Sequence, residues 1–220
     1  MRFGVLGGTF DPIHYGHLII AEEALARLQL NQVLFVPAKN PPHKLAQPYS
    51  PAEHRLRMVE LAIASNPAFA ISEVDLSRPG PSYTADTLAI LQEQLGPTAE
   101  LFFIMGLDSL ANIATWHEPA QILARAQIAV AARPGYRTDL RTLETRLPGL
   151  TARTHILPTP EIGIASHDLQ ERVRQGLPIR YQVPDSVEAY IHQQGLYLNG
   201  NDGPQPTHRG CAHMRSEGHP

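Results

Sequence analysis

Cysteine is almost absent from this chain of 220 residues, and so is any long apolar run. The one cysteine, Cys211, lies in a polar stretch, which excludes a disulfide framework and a cysteine zinc site. No run approaches the ~18 apolar residues of a bilayer span. In the opening MRFGVLGGTF, glycines interrupt the apolar residues before they reach the length of a signal peptide's apolar region. We therefore expect a cytoplasmic protein with no membrane partner.

An excess of basic charge is missing as well. The formal net charge is -3 and the pI is about 6.4, which argues against a nucleic-acid partner and favours a small-molecule substrate. Hydrophobic residues make up 43% of the chain, enough for the core of one domain, which we place at residues 1–198.

Short apolar runs alternate with helical patterns along that domain. Such alternation predicts βαβ units on a parallel sheet, and hence a Rossmann-like, doubly wound α/β fold with C-terminal helices. The predicted strands span residues 2–6, 32–37, 70–74, 100–105, 128–132 and 154–157.

The helices carry recognisable end motifs. Residues 50–53, Ser-Pro-Ala-Glu, predict a capping box with proline in the first turn, and residues 185–188 offer a second one. Gly96, Gly176 and Gly195 lie where C-terminal caps belong. Residues 199–220 are polar, glycine-rich and proline-rich, so we expect a disordered tail; its histidines leave metal scavenging as an alternative.

The loop GGTFDPIHYGH, residues 7–17, follows the first predicted strand and precedes a helix expected to begin near Leu18. In open α/β sheets this is where anionic ligands bind. Gly7 and Gly8 allow close approach of backbone N–H groups, Thr9 adds a hydroxyl, and His14 and His17 can donate to phosphate oxygens. The loop thus predicts a polyphosphate site. It matches neither GxGxxG nor the P-loop, which disfavours a dehydrogenase or a P-loop kinase.

Two other interpretations of the histidines stay open. His14 and His17 could be a surface residue and a helix cap, or they could be metal ligands. No carboxylate or cysteine stands nearby at ligand spacing, so we predict no protein metal site.

The loop resembles the (T/H)xGH signature of nucleotidyltransferases, and its long form is similar to that of bacterial nicotinate-nucleotide adenylyltransferases. Further blocks match this family in order over residues 1–198: NPPHK at 40–44, SYTADTL at 82–88, GLD at 106–108 with Trp116 downstream, RPG at 133–135, and the ending from Val183 to Tyr197. The resemblance implies transfer of AMP from ATP, accompanied by Mg²⁺, to nicotinate mononucleotide, giving deamido-NAD and pyrophosphate.

The resemblance also implies site roles. The expected catalytic residues are Thr9, His14, His17 and Lys44. The expected ATP-binding residues are Gly7, Gly8, Thr9, Phe10, His14, Gly16, His17, Gly106, Asp108, Arg133 and Ser166. The expected acceptor-binding residues are His43, Lys44, Tyr83, Thr84, Ala85, Trp116 and His117. Trp116 would stack on the pyridine ring, and N–H groups near Thr84, Ala85 and His117 would meet its carboxylate.

Each role has a simpler alternative. Lys44 could be a solvated loop charge, Trp116 a core residue, and Asp108 a helix cap. In mechanism, the acceptor phosphate is already anionic, so no enzyme base or nucleophilic side chain is required.

The match fails near the last third of the chain. The family pattern ISSTxIR corresponds here to IASHDLQ, residues 164–170, so Ser166 remains while His167 and Gln170 replace a threonine and an arginine. The lost arginine removes a bidentate cationic donor for ATP. Arg172, Arg174 or Arg180 could reach in to replace it.

Other functions therefore remain open. The acceptor could be nicotinamide mononucleotide or phosphopantetheine, although Trp116 and SYTADTL argue against the latter. The missing arginine also leaves a nucleotide-binding sensor without turnover as an alternative. Oligomeric state is not encoded in these patterns, although a homo-oligomer is common for such enzymes.

Overall fold

A computed structural model describes residues 1–41, 49–132, 139–160 and 162–198. The predicted tail at 199–220 lies outside these ranges. Within them, no helix is both long and apolar enough to cross a bilayer.

Six parallel strands form one sheet in the order β3-β2-β1-β4-β5-β6. They are β1 (Arg2–Gly8), β2 (Gln32–Pro37), β3 (Phe69–Ile71), β4 (Glu100–Gly106), β5 (Ala126–Ala132) and β6 (Thr154–Pro158). This order is the doubly wound one, because the chain first builds outward from β1 on one side and then returns to add β4 on the other. The predicted fold class is confirmed.

Helices cover both faces of the sheet. They are α1 (Tyr15–Arg27), α2 (Ala52–Ile63), α3 (Val74–Ser77), α4 (Thr84–Leu95), α5 (Leu107–Asn112), α6 (Pro119–Arg125), α7 (Leu140–Arg146), α8 (Leu150–Arg153), α9 (Ser166–Arg174) and α10 (Asp185–Gln194), with a 3-10 turn at Ile113–Thr115. Successive residues of β1 alternate between two core clusters: Leu6 belongs to the one with α1, α2, α9 and α10, and Val5 to the one with α3 to α8.

Two predicted element ends were wrong by three residues, whereas the other predicted strand ends differ by two residues or fewer. The strand expected to reach residue 74 ends at Ile71, and a short helix starts at Val74. The turn buries the carboxylate of Asp75, which accepts hydrogen bonds from Arg78 and Thr87, so continued extension would separate these groups. The first helix begins at Tyr15 rather than near Leu18, which places His17 inside its first turn.

Both predicted capping boxes were also wrong. Helix α2 begins one residue later than expected, with Pro51 as its N-cap, and Ser50 Oγ has no partner among the described residues. The N-cap of α10 is Pro184, which likewise makes no side-chain cap. The glycine predictions hold at Gly96 and Gly195, which cap α4 and α10 with positive φ, and Gly176 follows the α9 cap with φ 68°.

Candidate active site

Two cavities open at the carboxyl ends of the central strands, where β1 and β4 lie side by side. The larger has a volume of about 740 Å³ and the smaller about 390 Å³, within the usual range of small-molecule sites. Thr9 and His17 line both cavities. Among the described residues, these two form the wall at which a group held in one cavity can meet a group held in the other.

The rings of the two histidines of the first loop lie close together, tilted by 31°. His14 is the N-cap of α1, and its backbone N–H donates to His17 Nδ1 at 3.3 Å. The ring centroids are 3.8 Å apart. Gly16 makes room for this pair, since a Cβ there would lie 2.9 Å from His14 Nδ1.

Burial sets the charge of His14. The His14 side chain is 6% exposed, and burial lowers its pKa to about 4, so the ring is neutral near pH 7. No described residue hydrogen-bonds to His14 Nδ1. Because His17 Nδ1 accepts a hydrogen bond, neutral His17 carries its proton on Nε2, which makes Nε2 the donor atom of that ring.

Phe10 was predicted to bind ATP, but its side chain lies in the core and lines neither cavity. The ring meets His17 edge-on with centroids 5.1 Å apart and also contacts Phe35. Its backbone has a φ of 52°, unusual for a bulky residue. Gly8 accommodates the ring, because a Cβ there would lie 2.9 Å from it.

The remaining wall of the larger cavity comes from three segments of the chain. Gly106 and Asp108 lie at the end of β4 and the start of α5; Gly106 is the α5 N-cap, so Asp108 is not the helix cap considered as an alternative. Ser166 opens α9 and donates to Pro12 O at 2.9 Å. An apolar side is formed by Ile19, Ile20, Ala131, Ile162 and Ile164. The cavity thus joins an apolar wall to polar groups and two helix starts.

The smaller cavity collects most of the predicted acceptor residues. Tyr83, Thr84, Trp116 and His117 line it, with Gly7 and Gly8, which were predicted for ATP, on its floor. Tyr83 stacks on His117 at 4.1 Å, and half-buried Trp116 meets Phe103 edge-on at 6.0 Å. Ala85 is buried behind Thr84 in the first turn of α4, where backbone N–H groups have no intrahelical partner.

Comparisons with known proteins agree with this geometry. Residues 5–172 match the cytidylyltransferase-like family. A protein of Thermomicrobium roseum named probable nicotinate-nucleotide adenylyltransferase is 52% identical over 196 residues, covering 89% of this chain and 91% of that protein. One of the same name from Roseiflexus sp. is 49% identical, covering 88% and 96%. The chain belongs to the nicotinate-nucleotide adenylyltransferase family.

Solved structures share the fold of this adenylyltransferase at lower identity. Plasmodium falciparum nicotinic acid mononucleotide adenylyltransferase complexed with NaAD superimposes with a TM-score of 0.72 at 19% identity, covering 89% of this chain and 97% of that one. The same enzyme complexed with APC gives a TM-score of 0.70 at 20% identity, covering 89% and 96%.

The three arginines that could replace the missing family arginine are engaged elsewhere in the structure. Arg172 donates to Pro178 O, Arg174 pairs with Glu171, and Arg180 approaches Glu188; none of the three lines either cavity. Gln170 does line the larger cavity, and its Nε2 donates to Asp11 O at 2.6 Å. In the part of the chain that is described, the larger cavity has histidines but neither lysine nor arginine on its wall.

Sequence reasoning missed the residues that hold the cavities in shape. Behind the smaller cavity, Arg78 donates to Asp75 Oδ1 at 3.0 Å and to Tyr83 O at 3.2 Å, which fixes the start of α4. Behind the larger cavity, buried Arg55 and Tyr197 hold the first loop. A lone arginine on the apolar face of α2, one turn before Met58 and Val59, was the pattern that could have identified Arg55.

Three predicted residues, His43, Lys44 and Arg133, lie outside the described residues. In the part of the chain that the structure describes, no group of three or more His, Cys, Asp or Glu side chains could hold a metal ion.

Proposed function

We propose that this protein transfers the adenylyl group of ATP to nicotinate mononucleotide, releasing pyrophosphate and deamido-NAD, a step of NAD biosynthesis. The observation that carries the proposal is the contact between two unlike cavities at Thr9 and His17. A reaction that joins two separately bound molecules needs such a shared wall.

We assign ATP to the larger cavity. Its volume of about 740 Å³, its apolar wall and its neutral His14 suit a purine nucleotide with its triphosphate. The start of α9 at Ser166 adds the partial positive charge of a helix N-terminus for phosphate oxygens. Gly106 and Asp108 are our candidates for ribose contacts.

We assign nicotinate mononucleotide to the smaller cavity. Trp116 offers an aromatic face to the pyridine ring, and the N-terminal turn of α4 at Thr84 offers N–H donors to its carboxylate. A helix N-terminus favours an anion over a neutral amide, which supports the acid as acceptor rather than nicotinamide mononucleotide.

In the proposed step, an oxygen of the acceptor phosphate forms a bond to the α-phosphorus of ATP. The bond between that phosphorus and the bridging oxygen breaks, and its electron pair leaves on pyrophosphate. His17 Nε2–H and the Thr9 hydroxyl are the donors we place on the shared wall to stabilise the charge on the transferring group. Lys44 and Arg133 remain predicted cations for the phosphates.

Mg²⁺ enters this proposal as part of the ATP substrate. Magnesium keeps several waters and is commonly held by substrate phosphates with few protein ligands. The absence of a metal-ligand cluster among the described residues is compatible with that arrangement. The cytoplasmic location and self-association into a homo-oligomer stay predictions.

The test is pyrophosphate release from MgATP with nicotinate mononucleotide, nicotinamide mononucleotide or phosphopantetheine as acceptor. We expect strong preference for the first, and a kcat about 10²–10³-fold lower in His17→Asn. His192→Asn, at an exposed position on α10, is the matched control. ATP binding without release with any acceptor would instead favour the sensor, which the absence of arginine on the described wall of the larger cavity motivates.

A further inference from the structure

We propose that Arg55 is a positioning residue of the transfer step, because its guanidinium fixes the backbone of Thr9 to that of Ala38 and Ser50. The inference rests on the proposed function, since it concerns the geometry in which the two substrates meet. Nothing in the resemblance or the comparisons assigns this residue.

The side chain of Arg55 is completely buried and binds three backbone carbonyls. Its Nε donates to Ser50 O at 2.9 Å, and its Nη1 donates to Thr9 O and Ala38 O, each at 2.8 Å. These carbonyls come from the first loop, the chain after β2 and the chain before α2. One planar group thus joins three segments that are otherwise distant in sequence.

Those segments are walls of both cavities. Thr9 lines both, Ala38 lines the smaller one, and Tyr49, whose ring lies 5.2 Å from the guanidinium carbon, lines the larger. The residues between Ala38 and Tyr49 include the predicted His43 and Lys44. A shift of Arg55 would therefore move the shared wall relative to each substrate site.

The cost of this arrangement argues for a geometric role. Burial lowers the pKa of Arg55 and the nearby Asp11 carboxylate opposes that effect. Its Nη2 has no hydrogen-bond partner among the described residues. A buried charge with an unsatisfied nitrogen stabilises a fold poorly compared with apolar packing, whereas a rigid planar fork sets the relative positions of its acceptors.

Lysine is the informative replacement. Arg55→Lys keeps the charge, but a single ammonium group at the end of a flexible stem cannot hold three carbonyls in a fixed plane. Each cavity keeps its own lining residues, so both KM values should change less than about threefold, while kcat falls at least about tenfold through misalignment of the reacting groups. Arg57→Lys, two residues along α2 and exposed in its pair with Glu60, should match the wild type in all three constants.

The experiment measures pyrophosphate release by wild type, Arg55→Lys and Arg57→Lys, with the folded fraction of each followed by circular dichroism. Where Arg55→Lys is partly unfolded, trimethylamine N-oxide is added to restore the fold. A kcat still tenfold low in refolded protein, with near-normal KM values, supports the inference. A kcat that returns with the fold, or a loss confined to KM, overturns it. A wild type without release would overturn the proposed function and this inference with it, whereas an active wild type with an equally active Arg55→Lys overturns this inference alone.

Discussion

The hydroxyl of Tyr197 donates a hydrogen bond to Asp11 Oδ1 at 2.6 Å, across a sequence separation of 186 residues. The second carboxylate oxygen of Asp11 accepts from the Ser50 backbone N–H at 2.9 Å. The last described turn of the chain and the start of α2 thus hold the loop that lines the larger cavity.

We expect Tyr197→Phe to lower the free energy of unfolding by about 1–3 kcal/mol, because a buried carboxylate oxygen loses its donor. Urea unfolding followed by circular dichroism measures this loss. Tyr190→Phe is the control, since the Tyr190 hydroxyl bonds to His54 at a less buried position. Equal stability of the two variants would contradict the prediction.

Stability should fall in acid through His14. Its pKa is about 4 in the folded protein and about 6.5 in the unfolded chain, so the unfolded chain binds more protons between these values. The contribution of neutral His14 to the free energy of unfolding is complete above pH 6.5. It is lost as the pH falls toward 4, by up to about 3 kcal/mol.

Urea unfolding of wild type and His14→Gln at pH 7, 6, 5 and 4 checks this prediction. The variant should lose less stability than the wild type over that interval. If the unfolding free energies of the two proteins fell in parallel with pH, His14 would titrate alike in the folded and unfolded states.

Gly16→Ala should weaken ATP binding, because the new methyl group would lie 2.9 Å from His14 Nδ1 and displace that ring. We expect the KM for ATP to rise about tenfold, equivalent to about 1.4 kcal/mol. Gly163→Ala is the control, as no atom lies within 4 Å of the added Cβ at this exposed position. A normal ATP KM in Gly16→Ala would refute the argument.

Phe10→Leu should lower kcat about tenfold, because His17 loses the aromatic edge that supports its ring. Steady-state pyrophosphate release measures the change. Phe69→Leu offers a comparison, since that ring contacts Phe35 from a partly exposed position on β3. If both variants lose the same activity, support of His17 is not the cause.

Trp116 is the only tryptophan of the chain, so its fluorescence should report on the smaller cavity alone. Nicotinate mononucleotide should quench it through stacking, whereas ATP alone should change it little. Trp116→Ala should raise the KM for the acceptor at least about tenfold and leave the KM for ATP nearly unchanged. Quenching by ATP alone would place ATP in the smaller cavity and would contradict its assignment to the larger one.

Much of the site could be predicted because its residues follow strand ends. The carboxyl ends of parallel strands meet at one edge, so the residues after β1 and β4 necessarily come together there. The loop containing His14 and His17 was found in this way, whereas Asp108 after β4 came from the family resemblance, and all three line the larger cavity. Trp116 was identified by the family pattern, and the structure places it beside Thr84 in the smaller cavity.

The wrong predictions concern hydrogen-bond partners that residue type and spacing do not reveal. Ser50 is a residue type that favours helix caps, but its N–H donates to Asp11 of the first loop and its carbonyl accepts from Arg55 of α2, and the helix begins one residue later. Arg172 is close in sequence to the site, yet Pro178 O takes its guanidinium.

The sequence by itself determined the doubly wound sheet and the chemistry of the first loop, because apolar periodicity and the GGTFDPIHYGH motif are properties of short, contiguous segments. Only the tertiary structure decided that Thr9 and His17 are shared by two cavities, that Phe10 supports His17 from the core, and that Arg55 and Tyr197 hold the loop. Those relationships depend on packing between segments far apart in the chain, and packing selects partners by shape and by unsatisfied hydrogen-bonding groups rather than by sequence spacing.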